Sequence, residues 1–224
     1  MAHGEVERNP CILVKPRKPV APEKLIPSPS EVEKIVIAAE EEDPVWGLFL
    51  NITATLGTRR GEACALRWED FDFDAYRVHV RRALCKGTNG PTEIKLPKNG
   101  RERTLLVGEG FFDQLLGFRQ DAGWLFSSEA RAARNHPWHP DWPGHRFQRL
   151  TRRLQLPYTL HSLRHFVATQ LLARGLPVTQ VARFLGHKDP SVTMNLYGNH
   201  LIDDIQRAMG LAAATLFRRR ADPG

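Results

Sequence analysis

Apolar residues first recur at helical spacing between residues 29 and 41, where Val32, Ile35, Val36 and Ala39 share one side of a predicted helix. Ser28-Pro29-Ser30-Glu31 starts it. Ser28 caps, proline takes a first-turn position where its missing N–H is not needed, and Glu31 closes a capping box. Asp43-Pro44 opens a second helix whose Val45, Trp46, Leu48, Phe49, Leu50 and Ile52 leave almost no polar side, so it belongs in the core and ends near Gly57. A short helix follows within residues 58–70, with Ala63 and Leu66 inward. After Asp70 the period changes. Residues 76–84, 91–97 and 103–107 read as strands joined by turns at Gly87-Thr88-Asn89-Gly90 and Lys98-Asn99-Gly100, which predicts a three-stranded antiparallel sheet. Helical spacing returns over residues 111–119, about 145–154, from His161 onward, over 178–185, and over about 201–217 ahead of Arg218-Arg219-Arg220. The predicted fold class is α+β, mainly α-helical with a small three-stranded antiparallel sheet.

Composition sharpens this only in places. A chain of 224 residues with 42% hydrophobic content holds one sizeable domain with short appendages. The first appendage is residues 1–27, where Pro10, Pro16, Pro19, Pro22 and Pro27 alternate with Lys15, Arg17, Lys18 and Lys24 in the manner of an extended linker. Lys plus Arg, 32, exceeds Asp plus Glu, 25, and the net charge of +7 favours a polyanionic partner. Cys11, Cys64 and Cys85 lack metal or redox spacing and read as free thiols of a reducing compartment. No apolar run approaches the roughly 20 residues of a membrane span, nor does the N-terminus carry the apolar core of a signal peptide, so no membrane partner and a cytoplasmic location are expected.

Chemistry concentrates between His161 and Tyr197. His161 and Arg164, three apart, are predicted to share a basic helix face, with Leu163, Phe166, Val167 and Leu171 on the opposite, apolar side. After turn signals at Gly175 and Pro177 comes the short helix ending in Leu185-Gly186-His187, and ten positions later Tyr197-Gly198. Any one of these is ordinary: a lone tyrosine after a helix is usually a packing residue and a lone arginine a solvated one. Their combination is harder to explain by packing. A tyrosine hydroxyl, with a pKa near 10, is a poor nucleophile until neighbouring positive charge and a base assist it. Arginine offers a two-pronged fork to phosphate. The set reads as a phosphoryl-transfer site working through a covalent phosphotyrosine, and such a site demands further positive charge. Arg59, after the Gly57 turn and at a helix start, and Lys98, on a hairpin turn, supply it. Each alone is bland, a surface arginine and a solvated turn lysine. His136, His139, Asp141 and His145 in the loop over residues 135–145 are the one alternative metal reading, but their spacing is irregular and no cysteine joins them.

With these positions filled, the chain resembles the catalytic domain of the tyrosine recombinases, the phage integrase family. Leu56-Gly57-Thr58-Arg59-Arg60-Gly61-Glu62 and Leu66-Arg67-Trp68-Glu69-Asp70 match the family's first box. Lys98-Asn99-Gly100-Arg101-Glu102-Arg103 matches its hairpin lysine and the strand after it, while His161–His165, Leu185–His187 and Tyr197 match its second box. Leu56 stands where threonine is usual, and Leu106 where proline commonly ends the hairpin strand. The resemblance covers about residues 28–217 and implies the DNA breaking–rejoining fold, with a linker over 1–27 and a basic tail over 218–224. It also implies site-specific DNA recombination or integration. Tyr197 would attack the scissile phosphate to give a 3′-phosphotyrosyl link, with Arg59 and Arg164 on the nonbridging oxygens. His161 would act as base, His187 would donate a hydrogen bond to the phosphate, and Lys98 would protonate the leaving 5′-oxygen. No cofactor, metal or small-molecule substrate is implied. The implied partners are double-stranded DNA, three further protomers in a homotetramer, and accessory DNA-bending proteins, with the helix over 201–217 a candidate for docking on a neighbour. Family members usually carry an N-terminal core-binding domain ahead of the linker, and this chain is expected to lack it. Two other readings stay open: type IB topoisomerase-like relaxation, and a fragment that only occupies DNA or interferes with full-length recombinase.

Overall fold

The structure, a computed structural model, describes residues 25–86, 92–98, 100, 102–127, 136–191 and 193–194. The expected linker lies almost wholly outside them, as do Tyr197, the helix over 201–217 and the basic tail.

Helix α1 (Pro29–Glu42) begins as its sequence dictates. The Ser28 hydroxyl accepts from the Glu31 N–H at 3.3 Å, and the Glu31 carboxylate accepts from the Ser28 N–H at 2.8 Å. Val32, Ile35 and Ala39 are buried, with Val36 only partly so. Asp43 closes α1 and opens α2 (Pro44–Leu56), its carboxylate accepting from the N–H groups of Val45 and Trp46 at 2.9 and 3.3 Å. α2 is the hub of the fold. Trp46, Phe49, Leu50, Ile52 and Leu56 are fully enclosed, and Phe49 packs among Trp46, Phe126 and Trp138 with ring centroids 5.0 to 5.6 Å away. α2 ends at Gly57, whose φ of 58° is the left-handed conformation glycine adopts freely. The chain then turns at once into α3 (Arg60–Cys64).

The sheet differs from expectation. Residues 76–84 do not form one strand: the chain breaks at Arg81-Arg82 into β2 (Arg77–Val80) and β3 (Ala83–Lys86). β2 lies between β1 (Phe71–Asp72) and β5 (Arg103–Leu106), making a three-stranded antiparallel sheet, while β3 pairs only with β4 (Thr92–Lys95) in a separate hairpin. The break has a physical cause. Arg82 turns back to the buried Asp70 at 2.9 Å, an ion pair that pulls the backbone out of the β2 plane. β3 then runs against α3 so closely that a Cβ on Gly61 would collide with the Leu84 carbonyl. This contact sets the β3–β4 hairpin against α3.

Helix α4 (Glu109–Leu116) packs Phe112 and Leu115 inward. Helix α5 (Asp141–Arg153) starts four residues before the expected His145, because Pro143 falls in the first turn, where no N–H is needed. His145 is therefore helical rather than part of a loop. Arg146 anchors α5, reaching Asp43 at 2.8 Å while its guanidinium lies 5.0 Å from the ring centres of both Trp46 and Trp142. Helix α6 (Leu160–Ala173) and helix α7 (Val178–Leu185) complete the described fold. α7 closes on a small apolar cluster of its own, made with Val167 and Ala168 of α6. Among the described residues no helix is long and apolar enough to cross a membrane.

Candidate active site

The site is built on the carboxyl end of α7. A helix leaves its last carbonyls without intrahelical partners and gathers partial negative charge there. Gly186, at φ 69°, reverses the chain so that the Gly186 N–H reaches the Arg183 carbonyl at 3.1 Å and the His187 N–H reaches that of Ala182 at 2.8 Å. The next three carbonyls each accept from a different arginine. Phe184 takes Arg103 Nε at 3.0 Å, Leu185 takes Arg164 Nη2 at 2.6 Å, and Gly186 takes Arg59 Nη2 at 3.1 Å. Leucine-glycine-histidine at this point is thus a helix end that fixes three cations and then places an imidazole beside them.

Arg59 caps α3 without a side-chain cap of its own. Its Nη1 meets Glu62 Oε1 at 2.8 Å, and its backbone N–H donates to Glu62 Oε2 at 2.9 Å. Glu62 is fully enclosed and also receives Arg103 Nη2 at 2.7 Å. Burial, the largest single influence, opposes its ionisation, but the hydrogen bond and charge of Arg103 and the donors of Arg59 together hold its carboxyl below the usual range.

Arg164 is not where helical periodicity puts it. Only 2% exposed, it does not share an open face with His161; Arg164 Nη1 donates to the Gly57 carbonyl at 2.6 Å while Nη2 holds Leu185. The reason is that its acceptors are backbone carbonyls on α2 and α7, which draw the guanidinium inward between the two helix ends. His161, one turn earlier, is exposed and stands edge-on to the buried His165, ring centres 4.6 Å apart.

His187 is half-buried, and its Nδ1 lies 2.7 Å from the Thr193 hydroxyl. Burial first, then the charges of Arg164, Arg59, His161 and Arg103, push its pKa down to about 4. It is therefore neutral at pH 7, with its Nδ1 engaged by Thr193. A cleft of about 630 Å³ reaches His161 past Thr58, Arg60, His145 and Arg152. Another, of about 530 Å³, reaches His187 past Pro97, Arg103, Arg183, Gly186 and Lys188. Lys98 is exposed and follows Pro97 directly, in a turn closed by the Gly100 N–H on the Pro97 carbonyl at 2.6 Å, so its hairpin rims the His187 cleft.

Of the six candidate residues, Arg59, Arg164 and His187 are brought together on one scaffold, and His161 and Lys98 border it. Tyr197 lies outside the described residues. The other two tyrosines are engaged elsewhere: Tyr76 donates to Glu109 at 3.0 Å and Tyr158 to Glu31 at 2.9 Å. The Glu109 carboxylate raises the Tyr76 pKa, and burial with Glu31 raises that of Tyr158, so neither is poised as a nucleophile. Among the described residues no three histidine, cysteine or acidic side chains gather as metal ligands, and His139 instead pairs with Asp141. Sequence reasoning passed over Glu62 and Arg103. The signal for Arg103 was period two: it lies two residues before the buried Leu105 on the same strand face, and an inward arginine requires a carboxylate.

Comparison with known proteins agrees with this architecture. The chain is 27% identical to the tyrosine recombinase XerC-like protein of Caldanaerobacter subterraneus subsp. tengcongensis over 89% of its own length and 58% of that protein. It is 25% identical to the ICEBs1 integrase of Bacillus subtilis over 92% of its length and 59% of the relative. The chain thus spans under two thirds of the length of these two relatives. In structure it superposes on the Tn1549 transposon integrase in complex with transposon right end DNA, with a TM-score of 0.69, 22% identity, 88% of this chain and 68% of that one. It also superposes on the catalytic domain of bacteriophage HP1 integrase, with a TM-score of 0.57, 18% identity, 82% of this chain and 95% of that one. Residues 28–202 match the Phage integrase family profile, and the chain belongs to that family.

Proposed function

We propose that this chain is the catalytic part of a site-specific tyrosine recombinase, which cleaves and rejoins double-stranded DNA through a 3′-phosphotyrosyl intermediate on Tyr197. One observation carries the reading: the guanidiniums of Arg59 and Arg164 and a neutral imidazole gather at the carboxyl end of α7, with Arg103 beside them, and arginine with imidazole is a donor set suited to a phosphodiester. In the reaction the Tyr197 oxygen bonds to phosphorus as the bond from phosphorus to the 5′-oxygen breaks. The phenol proton passes to His161, and Lys98 delivers a proton to the departing 5′-oxygen. Arg59 and Arg164 offset the charge that builds on the nonbridging oxygens, and the other ring nitrogen of His187 donates to one of them. Because the bond energy stays in the phosphotyrosine, the reverse attack by a 5′-hydroxyl reseals the strand without ATP.

The catalytic domain is assigned to residues 28–217, with a linker over 1–27 and a basic tail over 218–224; the family match over 28–202 supports the first. The assembly on DNA is a homotetramer, the form in which two duplexes can exchange strands, and the site of action is the cytoplasm.

The test uses a nicked duplex whose cleaved strand loses its 5′-hydroxyl fragment and cannot be resealed. The wild-type chain should form an adduct that survives denaturing electrophoresis, in the presence of EDTA, because its charge comes from arginine. Tyr197→Phe should form none while still retaining DNA in a gel shift. Equal adduct yield from both proteins would move the nucleophile elsewhere, and relaxation of supercoiled plasmid without site preference would favour a topoisomerase-like activity.

A further inference from the structure

Arg103 has no part in the six-residue chemistry, yet it is held more tightly than a packing arginine requires. Its side chain is 8% exposed, with Nη2 on Glu62 at 2.7 Å and Nε on the Phe184 carbonyl at 3.0 Å. Gly186 lies directly on its guanidinium, where a Cβ would come within 3.0 Å of Nη1 and 3.4 Å of Cζ. Nη1 itself is enclosed without an acceptor among the described residues, an arrangement that stability alone does not favour.

The arrangement makes sense as charge balance. Glu62 is an enclosed carboxylate that touches Arg59 through Oε1. Were Arg59 its only cation, the pair would be neutral, and an incoming phosphate would meet the repulsion of Glu62 along with the attraction of Arg59. Arg103 on Oε2 adds a second positive charge to the same carboxylate, leaving the trio with a net charge of one. We propose that Arg103 is a positioning residue that neutralises Glu62, so that the charge of Arg59 remains available to the scissile phosphate. It acts through Arg59 and does not touch the substrate. The inference rests on Arg59 being a phosphate ligand, as assigned above.

Three variants of the full chain separate this role from simple packing. Arg103→Met keeps a long stem without charge and should slow adduct formation on the order of 10²-fold, the scale of losing one preorganised donor. The double variant Glu62→Gln with Arg103→Met removes the carboxylate together with its counter-ion. It should form adduct faster than Arg103→Met alone, and it also avoids an unpaired enclosed charge should the single variant fold poorly. Arg103→Lys, which keeps the charge, should recover most of the wild-type rate. A second readout needs no DNA: by NMR the His187 ring should titrate near 4 in the wild type and in Arg103→Lys, and higher in Arg103→Met, since a depressing charge is gone and Glu62 is exposed to it. A double variant no faster than Arg103→Met, or an unchanged His187 titration in Arg103→Met, would overturn the proposal. If the wild type forms no adduct at all, the assigned reaction fails, and the His187 titration still decides whether Arg103 sets the charge of the pocket.

Discussion

Lys98 is the residue whose role is most separable by chemistry. Lys98 is exposed on a turn, and a general acid contributes about 10²–10⁴-fold only where the leaving group needs a proton. Lys98→Ala should therefore cleave ordinary DNA slowly and recover most of its rate when sulfur replaces the bridging 5′-oxygen, because a thiolate departs unprotonated. Arg164→Ala should gain nothing from that sulfur, since Arg164 serves the phosphoryl oxygens. A Lys98→Ala protein that stays equally slow on the sulfur substrate would pass the role to Lys95 or Lys86. Of these, Lys95 is paired with Glu93 at 2.6 Å and its pKa is raised by that hydrogen bond, which suits it poorly to give up a proton.

At the scale of the element, what could be read in advance was what is local. The start of α1 and both ends of α7 follow from Ser28, Glu31, Pro177 and Gly186, whose caps need only their neighbours. The sheet was harder. Arg81-Arg82 looks like the continuation of a strand, and what breaks it is Asp70, twelve residues earlier. The burial of Arg164 depends on carbonyls 107 and 21 residues away, which no helical pattern can register. The six candidate positions stood out through their combination, whereas Glu62 and Arg103, outside that set, matter through each other, in a contact that joins residues 41 apart. Gly61 belongs to the same scale. Its closeness to the Leu84 carbonyl means that Gly61→Ala must push β3 off α3, at a cost of about 1–3 kcal/mol for overpacking. The urea midpoint should fall accordingly, with slower adduct formation as the Lys98 hairpin shifts; an unchanged midpoint would mean the two elements are not in register contact.

For the whole molecule, the cationic pocket sets the response to acid. His187 accepts a proton in the folded chain only near pH 4, against an ordinary value of 6.5, so between those values the unfolded chain binds more protons and stability falls as pH falls. Glu62 has the same sign. Its carboxyl is held below the ordinary 4.5, so the stability it contributes is present above that value and is lost as pH drops through its folded pKa. Urea midpoints should therefore decline from pH 7 to pH 5, and His187→Gln should flatten that limb while leaving the steeper loss below pH 4.5 in place. Identical profiles for the two proteins would mean that His187 titrates normally in the folded chain.

The five successive carbonyls from Ala182 to Gly186, each with its own donor, have one more consequence. Two of the donors belong to the chain just beyond the helix, and three come from separate parts of the fold. α7 is only eight residues long and packs on a small apolar cluster shared with α6, with its partly buried Phe184 also against the main core, so its own packing is limited. The arginines staple it down, and it in turn aims them. Neither can be in order without the other, which makes readiness for chemistry an all-or-none property of this corner of the protein: fraying of a single turn would scatter three cations at once.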